Sequence, residues 1–221
     1  MKFVKDTHGI LFVVSAPSGG GKTSLCKEVI RRLPNFEHGI SYTTRKRRPT
    51  EVNGRDYHFV SEEKFMRMVA DDEFVEYAYV HGNYYGTSMQ SIAETLSKGK
   101  NLLIDIDVQG AKQIEERYGD EGVFIFILPP DFTLLRERLN IRQSDTEEEI
   151  ERRLKKAQEE VQHYHDYDYV IINDDFHEAV KELEAIILAE ECLPRRVRMV
   201  HGIEAESGGE FPEEDESSEN E

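Results

Sequence analysis

Basic side chains are scarce: 28 Lys and Arg stand against 45 Asp and Glu, a formal charge of −17. A deficit of that size excludes a generic nucleic-acid binder held by a broad basic surface. It leaves room for a small basic site that grips one phosphate-bearing ligand. Cysteine is nearly absent, with only Cys26 and Cys192, far apart and without metal-ligand spacing. A reduced, cytoplasmic chain is expected, each thiol acting as a small buried hydrophobe. Long apolar runs are missing too. None approaches the ~18 residues of a spanning helix, and Met1 to Asp6 does not begin a secretory signal. The 221 residues suit one ordinary domain, or one with a small insertion. No internal repeat is present.

What is there reads as alternating strand and helix. Ile10-Leu11-Phe12-Val13-Val14 within Gly9 to Ala16 is apolar throughout, as in a strand buried on both faces. Pro17 to Gly21 interrupts it. A helix runs from Lys22 to Leu33, stopped by Pro34. From about Ser41 to Gln90 the texture changes to Tyr, Arg, Thr, Gly and Asn, an expected α+β insertion. Its strands are placed at His38 to Tyr42, Asp56 to Val60 and Phe74 to Val80, with a helix from Ser61 to Val69. The α/β alternation then resumes. Strands are expected at Asn101 to Val108, Val123 to Leu128 and Tyr169 to Ile172. Helices are expected at Ser88 to Ser97, Gln109 to Tyr118, Phe132 to Ile141, Thr146 to His163 and Asp175 to Cys192. This is an α/β fold with a mainly parallel sheet covered on both faces. From Glu204 onward nine acidic residues occur with no basic ones, the composition of a disordered tail.

The sharpest motif is Ala16-Pro17-Ser18-Gly19-Gly20-Gly21-Lys22-Thr23, between the first strand and the first helix. It fits the phosphate-loop pattern except that Ala16 replaces the first glycine. The glycines let backbone N–H groups curl around phosphate oxygens, and the helix presents its positive end. Lys22 reaches the β- and γ-phosphates, and the Thr23 hydroxyl suits Mg²⁺. Such a loop identifies a nucleoside triphosphate site, not a reaction. The only concentrated basic segment is Ser41-Tyr42-Thr43-Thr44-Arg45-Lys46-Arg47-Arg48-Pro49. Arg45, Arg48 and Tyr57 have the chemistry to hold one phosphomonoester. Taken alone, the run also suits a solvated surface loop.

With these blocks in order, the chain resembles the guanylate kinase family from Gly9 to about Cys192. Further matching blocks are Glu51-Val52-Asn53-Gly54-Arg55-Asp56-Tyr57, Phe74-Val75-Glu76 and Gly82-Asn83-Tyr84-Tyr85-Gly86-Thr87. Asp105-Ile106-Asp107-Val108-Gln109-Gly110 and Ile171-Ile172-Asn173-Asp174 complete them. The resemblance implies a P-loop nucleoside monophosphate kinase fold. It has a five-stranded parallel core sheet (8–40 and 91–192), an inserted GMP-binding subdomain (41–90) and a helical lid (about 138–163). The domain then spans 1–203 and the tail 204–221. The implied reaction is ATP plus GMP, with dGMP as a further acceptor, giving the diphosphate with Mg²⁺.

The resemblance also implies roles. Glu76 would accept from guanine N1–H and N2–H₂, while Ser41 and Thr87 donate towards O6. Arg45, Arg48, Tyr57 and Tyr85 would hold the GMP phosphate, and Asp107 would face the guanosine. Thr23 and Asp105 would belong to the Mg²⁺ shell, Asp105 directly or through water. Asp107 also suits a helix N-cap. Lid arginines Arg138, Arg142 and Arg153 would neutralise the transferred group. Asn173 would touch the ATP adenine. No catalytic histidine is expected, because the acceptor phosphate already carries a nucleophilic oxygen. The alternative is a catalytically inactive guanylate-kinase-like module that binds phosphorylated peptides. The intact phosphate loop argues against that alternative. Nucleic acid and membrane are not expected partners, and monomer and dimer stay open. Arg195-Arg196-Val197-Arg198 has no role at this stage.

Overall fold

The computed structural model describes residues 2–5, 7–80, 82–140 and 146–200. In chain order, β1 (Lys2–Lys5) and β2 (Leu11–Ser15) are followed by α1 (Lys22–Arg32) and β3 (Phe36–His38). The short β4 (Tyr42–Thr43) and β5 (His58–Phe59) precede α2 (Glu62–Ala70), β6 (Phe74–Val80) and β7 (Asn83–Ser88). Next come α3 (Met89–Ser97), β8 (Asn101–Ile106), α4 (Val108–Tyr118) and β9 (Gly122–Leu128). The described chain ends with α5 (Phe132–Asn140), α6 (Glu147–Glu160), β10 (Tyr169–Ile172), α7 (Phe176–Glu191) and β11 (Val197–Val200).

Five strands form one parallel sheet in the order β10-β9-β2-β8-β3. Every residue of β2 is buried, which explains its unbroken apolar run. Alternation splits the strand between two cores. Phe12 and Val14 pack with Leu25 and Val29 of α1 and with Val180, Leu183 and Ile187 of α7. Leu11 and Val13 pack with Ile92 of α3 and with Ala111 and Ile114 of α4. Each such fully buried aliphatic side chain is worth about 1.5–3 kcal/mol. The carboxyl ends of β2 and β8 therefore emerge side by side, where open α/β sheets bind their ligands.

A second sheet has the order β5-β4-β7-β6 and mixes parallel and antiparallel pairs. Its small core is Phe65, Met68 and Phe74, with the Phe65 ring stacked on Phe74 at 4.5 Å and on Tyr84 at 5.4 Å. The outer edge of β6 is met by α4. There Gln113 accepts from Tyr77 N and donates to Tyr77 O, both at 3.2 Å.

Several expectations change. The strand expected at His38 to Tyr42 is two strands in different sheets. Gly39 N still donates to Leu103 O, but a Cβ on Gly39 would lie 2.8 Å from Ile104 Cγ1, and there the chain leaves the core sheet. Asn83–Ser88 pairs as β7, and β1 pairs antiparallel with β11; neither was expected as a strand. Cys26 is buried as expected, whereas Cys192 is exposed beyond the end of α7. Arg195 gains a role, pairing at 3.2 Å with Glu190, which is only 5% exposed. The acidic segment from Glu204 and Arg142, expected as a lid arginine, lie outside the described residues.

Candidate active site

The phosphate loop joins β2 to α1. Gly19 and Gly21 both take φ of +89°, a region open to glycine and strained for other residues. Gly21 is the N-cap of α1 and supplies no side-chain cap, so the first amides of that helix stay available to an anion. By contrast, Ser61, Ser88, Asp107, Thr146 and Asp175 cap their own helices. Asn173 lies behind the loop, 3% exposed, and its Nδ2 donates to Gly20 O at 2.9 Å. A Cβ on Gly21 would come 2.6 Å from that Nδ2, so glycine is required there twice over.

Lys22 and Thr23 start α1 beside the end of β8. Lys22 Nζ donates to Ile106 O at 2.5 Å. Thr23 Oγ1 donates to Asp105 Oδ2 at 2.7 Å, and His38 Nε2 lies 2.8 Å from Asp105 Oδ1. Burial pushes the Asp105 carboxyl up, yet the His38 hydrogen bond and the Lys22 charge outweigh it and hold its pKa below the usual value. The group is an ionised carboxylate, so the His38 contact is an Nε2–H donating to Oδ1. His38 is the site residue that the sequence did not single out. The sequence pattern puts it at the start of a strand running to Tyr42, whereas it ends β3 and so reaches β8.

Across a cleft of about 190 Å³, Lys22, Asp105 and Asp107 face Ser41, Tyr57, Glu76 and Tyr85. Larger hollows of about 360 and 410 Å³ lie around Asp166, away from the phosphate loop. The smaller cleft is the one that Lys22 of the phosphate loop and Asp105 of β8 line. Glu76 is 5% exposed, accepts from Thr87 Oγ1 at 2.6 Å, and sits beside Ser41, whose Oγ is 3.5 Å from Thr87 Oγ1. Burial, then the nearby Asp107 charge, raise the Glu76 pKa from 4.5 to about 7 despite the Thr87 hydrogen bond. Gly110 makes room for it: a Cβ there would lie 2.9 Å from Glu76 Oε2. Asp107 is the N-cap of α4, accepting from Gly110 N at 2.9 Å, and it also lines the cleft.

The basic loop is pre-arranged. Arg45 makes a two-pronged contact with Glu51, at 2.7 and 3.1 Å, and lies 5.4 Å over the Tyr57 ring. Tyr57 and Tyr85 meet edge to face at 5.9 Å. Glu51 Oε2 also accepts from Arg48 N at 2.8 Å, tying the loop into one piece. The Arg48 side chain is exposed and has no hydrogen bond to the described residues.

From the other side α5 and α6 pack on each other through Leu135, Leu139, Ile150 and Leu154. They reach the phosphate loop. Arg153 donates from Nε and Nη2 to Ser18 Oγ at 3.0 and 2.9 Å, and Ser18 N donates to Glu160 Oε2 at 3.2 Å. Arg138 Nη2 donates to Asn173 O at 3.0 Å, and its buried Nη1 has no partner among the described residues.

A family described as guanylate kinase matches residues 9–190. The chain belongs to the guanylate kinase family. It is 52% identical over 190 residues to a guanylate kinase of Geobacter sulfurreducens, covering 86% of this chain and 93% of that one. A guanylate kinase of Syntrophotalea carbinolica is 51% identical over 195 residues, covering 88% and 92%. The crystal structure of guanylate kinase from Anaplasma phagocytophilum superposes with a TM-score of 0.70 at 33% identity, covering 87% and 92%. Guanylate kinases are phosphotransferases, and this chain is an enzyme of that class. No helix among the described residues is long and apolar enough to cross a membrane.

Within the guanylate kinase frame the residues singled out from sequence fall into three groups. Lys22, Thr23 and Asp105 meet at the ends of β2 and β8. Ser41, Tyr57, Glu76, Tyr85 and Asp107 line one cleft, with Thr87 and Arg45 touching that lining. Arg138, Arg153 and Asn173 meet around the phosphate loop. The Asn173 amide is engaged with Gly20, while its Oδ1 has no partner among the described residues.

Proposed function

We propose that the chain transfers the γ-phosphoryl group of ATP to GMP, and to dGMP. The observation that carries this reading is Glu76, a carboxylate 5% exposed in the cleft beside the phosphate loop. Guanine offers N1–H and N2–H₂ side by side, a match for one ionised carboxylate. Adenine offers an acceptor at N1 and no 2-amino group, which would leave Glu76 buried and unpaired. Penalties of that kind give discrimination of about 10⁴–10⁵. Ser41 supplies a hydroxyl for O6, and Thr87 can join it by turning its single proton from Glu76 once guanine N–H groups occupy that carboxylate. The GMP phosphate fits the side of the cleft lined by Tyr57 and Tyr85, where Arg45 lies over the Tyr57 ring and Arg48 follows on the same loop.

The triphosphate fits the loop from Ala16, Pro17 and Ser18 through Gly19, Gly20 and Gly21 to Lys22 and Thr23. Asn173 supports that loop through Gly20, and its Oδ1, without a partner among the described residues, is the group left for the adenine. The Thr23 hydroxyl and the Asp105 carboxylate are hard oxygen donors, the chemistry Mg²⁺ takes with phosphates and water. When bound, Mg²⁺ neutralises phosphate charge. The protein's own part is positioning. Lys22 leaves the Ile106 carbonyl for the phosphates, and Arg138 and Arg153 offset charge on the transferred group, a part the sequence also gives to Arg142, outside the described residues. α5 and α6 keep water from competing as acceptor.

A phosphopeptide-binding module would not need the left-handed glycines, the open helix start or the Arg153 contact to Ser18. A coupled assay of ADP release with GMP, AMP, UMP and CMP as acceptors tests the proposal. GMP should exceed the others by at least about a thousandfold in kcat/KM. Equal use of AMP would rule out the guanine assignment.

A further inference from the structure

Asp105 carries two oxygens with different tasks. Oδ2 faces Thr23, the other hard donor of the phosphate loop, and Oδ1 faces His38. The carboxylate side chain is only 14% exposed, so water has little access to replace a missing partner. His38 ends β3, whose register pairs it with Leu103, two residues before Asp105 on β8. Strand side chains lean along the strand direction, which suits an imidazole reaching forward to the next inward carboxylate. Gly39 then holds β3 against β8. Its N–H bonds Leu103 O at 2.9 Å, and the Ile104 side chain leaves no space for a Cβ. The histidine is therefore seated by the sheet itself, not by a loop.

We propose that His38 is a positioning residue: through its Nε2–H to Asp105 Oδ1 it fixes the carboxylate plane so that Oδ2 is presented together with Thr23 Oγ1 to the phosphate loop. This rests on the reading of Thr23 and Asp105 as the protein's Mg²⁺ donors. A carboxylate free to rotate about its last bond would spread Oδ2 over many orientations. One held at Oδ1 offers a single one. Outer partners of metal-binding groups typically matter by about 10–100-fold in metal affinity. His38 takes no proton from substrate in this account, consistent with an acceptor that needs no base.

The test compares His38→Phe, His38→Asn and His38→Gln with the parent, in the full chain. Gln keeps an N–H at similar reach, Asn falls short, and Phe removes it. ATP binding is measured by calorimetry with and without Mg²⁺, and KM for GMP by steady-state kinetics. Phe and Asn should each reduce the Mg²⁺-dependent gain in ATP affinity by about tenfold or more. Gln should recover it to within about threefold, and KM for GMP should stay within about twofold throughout. In an Asp105→Asn background, His38→Phe should add little. Retention of the full Mg²⁺ gain by both Phe and Asn variants would overturn the inference. So would a Gln variant as impaired as Phe, or a parallel rise in KM for GMP. A parent whose ATP binding ignores Mg²⁺ would overturn the metal reading and the inference together. A Mg²⁺-dependent parent with an unaffected Phe variant overturns the inference alone.

Discussion

On the proposed guanine reading, Glu76 is the residue on which substrate choice and stability pull in opposite directions. Its pKa is raised from 4.5 to about 7, mainly by burial. A carboxyl raised in the folded state contributes stability that is fully present below pH 4.5. That contribution is lost as pH climbs through 7. At about 1.4 kcal/mol per unit, the loss is on the order of 3 kcal/mol. Replacing Glu76 by Gln removes the titration. The Glu76→Gln protein should therefore gain stability over the parent between pH 5 and pH 8 in denaturant melts, while KM for GMP rises at least about tenfold. A stability difference that does not change with pH would contradict the burial argument. For the same reason, GMP should bind the parent more weakly as pH falls below 7, where the carboxylate must first ionise. Lys22 sits on the other substrate's side. Lys22→Met should lower kcat by about 10³ or more while calorimetric GMP affinity stays within about threefold. Glu76 was legible only through family resemblance, because an alternating strand on its own places it towards solvent. Burial comes from α4, whose Gly110 gives it room. His38 was not legible at all, since its partner is set by sheet register across 67 residues of sequence.

The elements divide by how local their causes are. β2 was readable because burial on both faces leaves a continuous apolar run. The helix starts were readable because the caps are local: Ser61 accepts from Lys64 N, and Asp175 from His177 N and Glu178 N. β7 was not readable, since Asn83–Ser88 lacks both alternation and an apolar run and is held by pairing with β4 and β6. The β1–β11 ribbon was hidden for a similar reason, four residues on each side with charged members. At α6 a local device supports the contact of Arg153 with the phosphate loop. Thr146 and Glu149 form a capping box, with Thr146 N donating to Glu149 Oε2 at 2.8 Å. That helix carries Arg153 and Glu160 to Ser18. Thr146→Ala should cost about 1 kcal/mol. Hydrogen exchange should quicken first in the opening turn of α6, well before the amides of β2. Uniform acceleration across the chain would mean that the cap supports the whole fold and not this helix.

At the scale of the whole molecule, charge is distributed unevenly. Nine of the seventeen excess negative charges lie from Glu204 onward, leaving −8 on the rest. Positive groups gather where the proposed function puts phosphates: Lys22, the Arg45 to Arg48 loop, Arg138 against Asn173 and Arg153 against Ser18. Removing residues 204–221 should leave kcat/KM for GMP within about twofold at physiological salt, since exposed charges are screened over ~8 Å. A tenfold change would assign the acidic segment a part in substrate encounter.

The order of the core sheet also has a consequence for synthesis. β2 lies at the centre, yet its neighbours β8 and β9 begin at Asn101 and Gly122. At roughly 5–20 residues per second, the ribosome delivers the second neighbour many seconds after the first strand has left the tunnel. A strand buried along its whole length thus waits for both of its lateral partners after it has left the tunnel. The nascent chain, not the finished enzyme, is where a holding chaperone would have the most to protect.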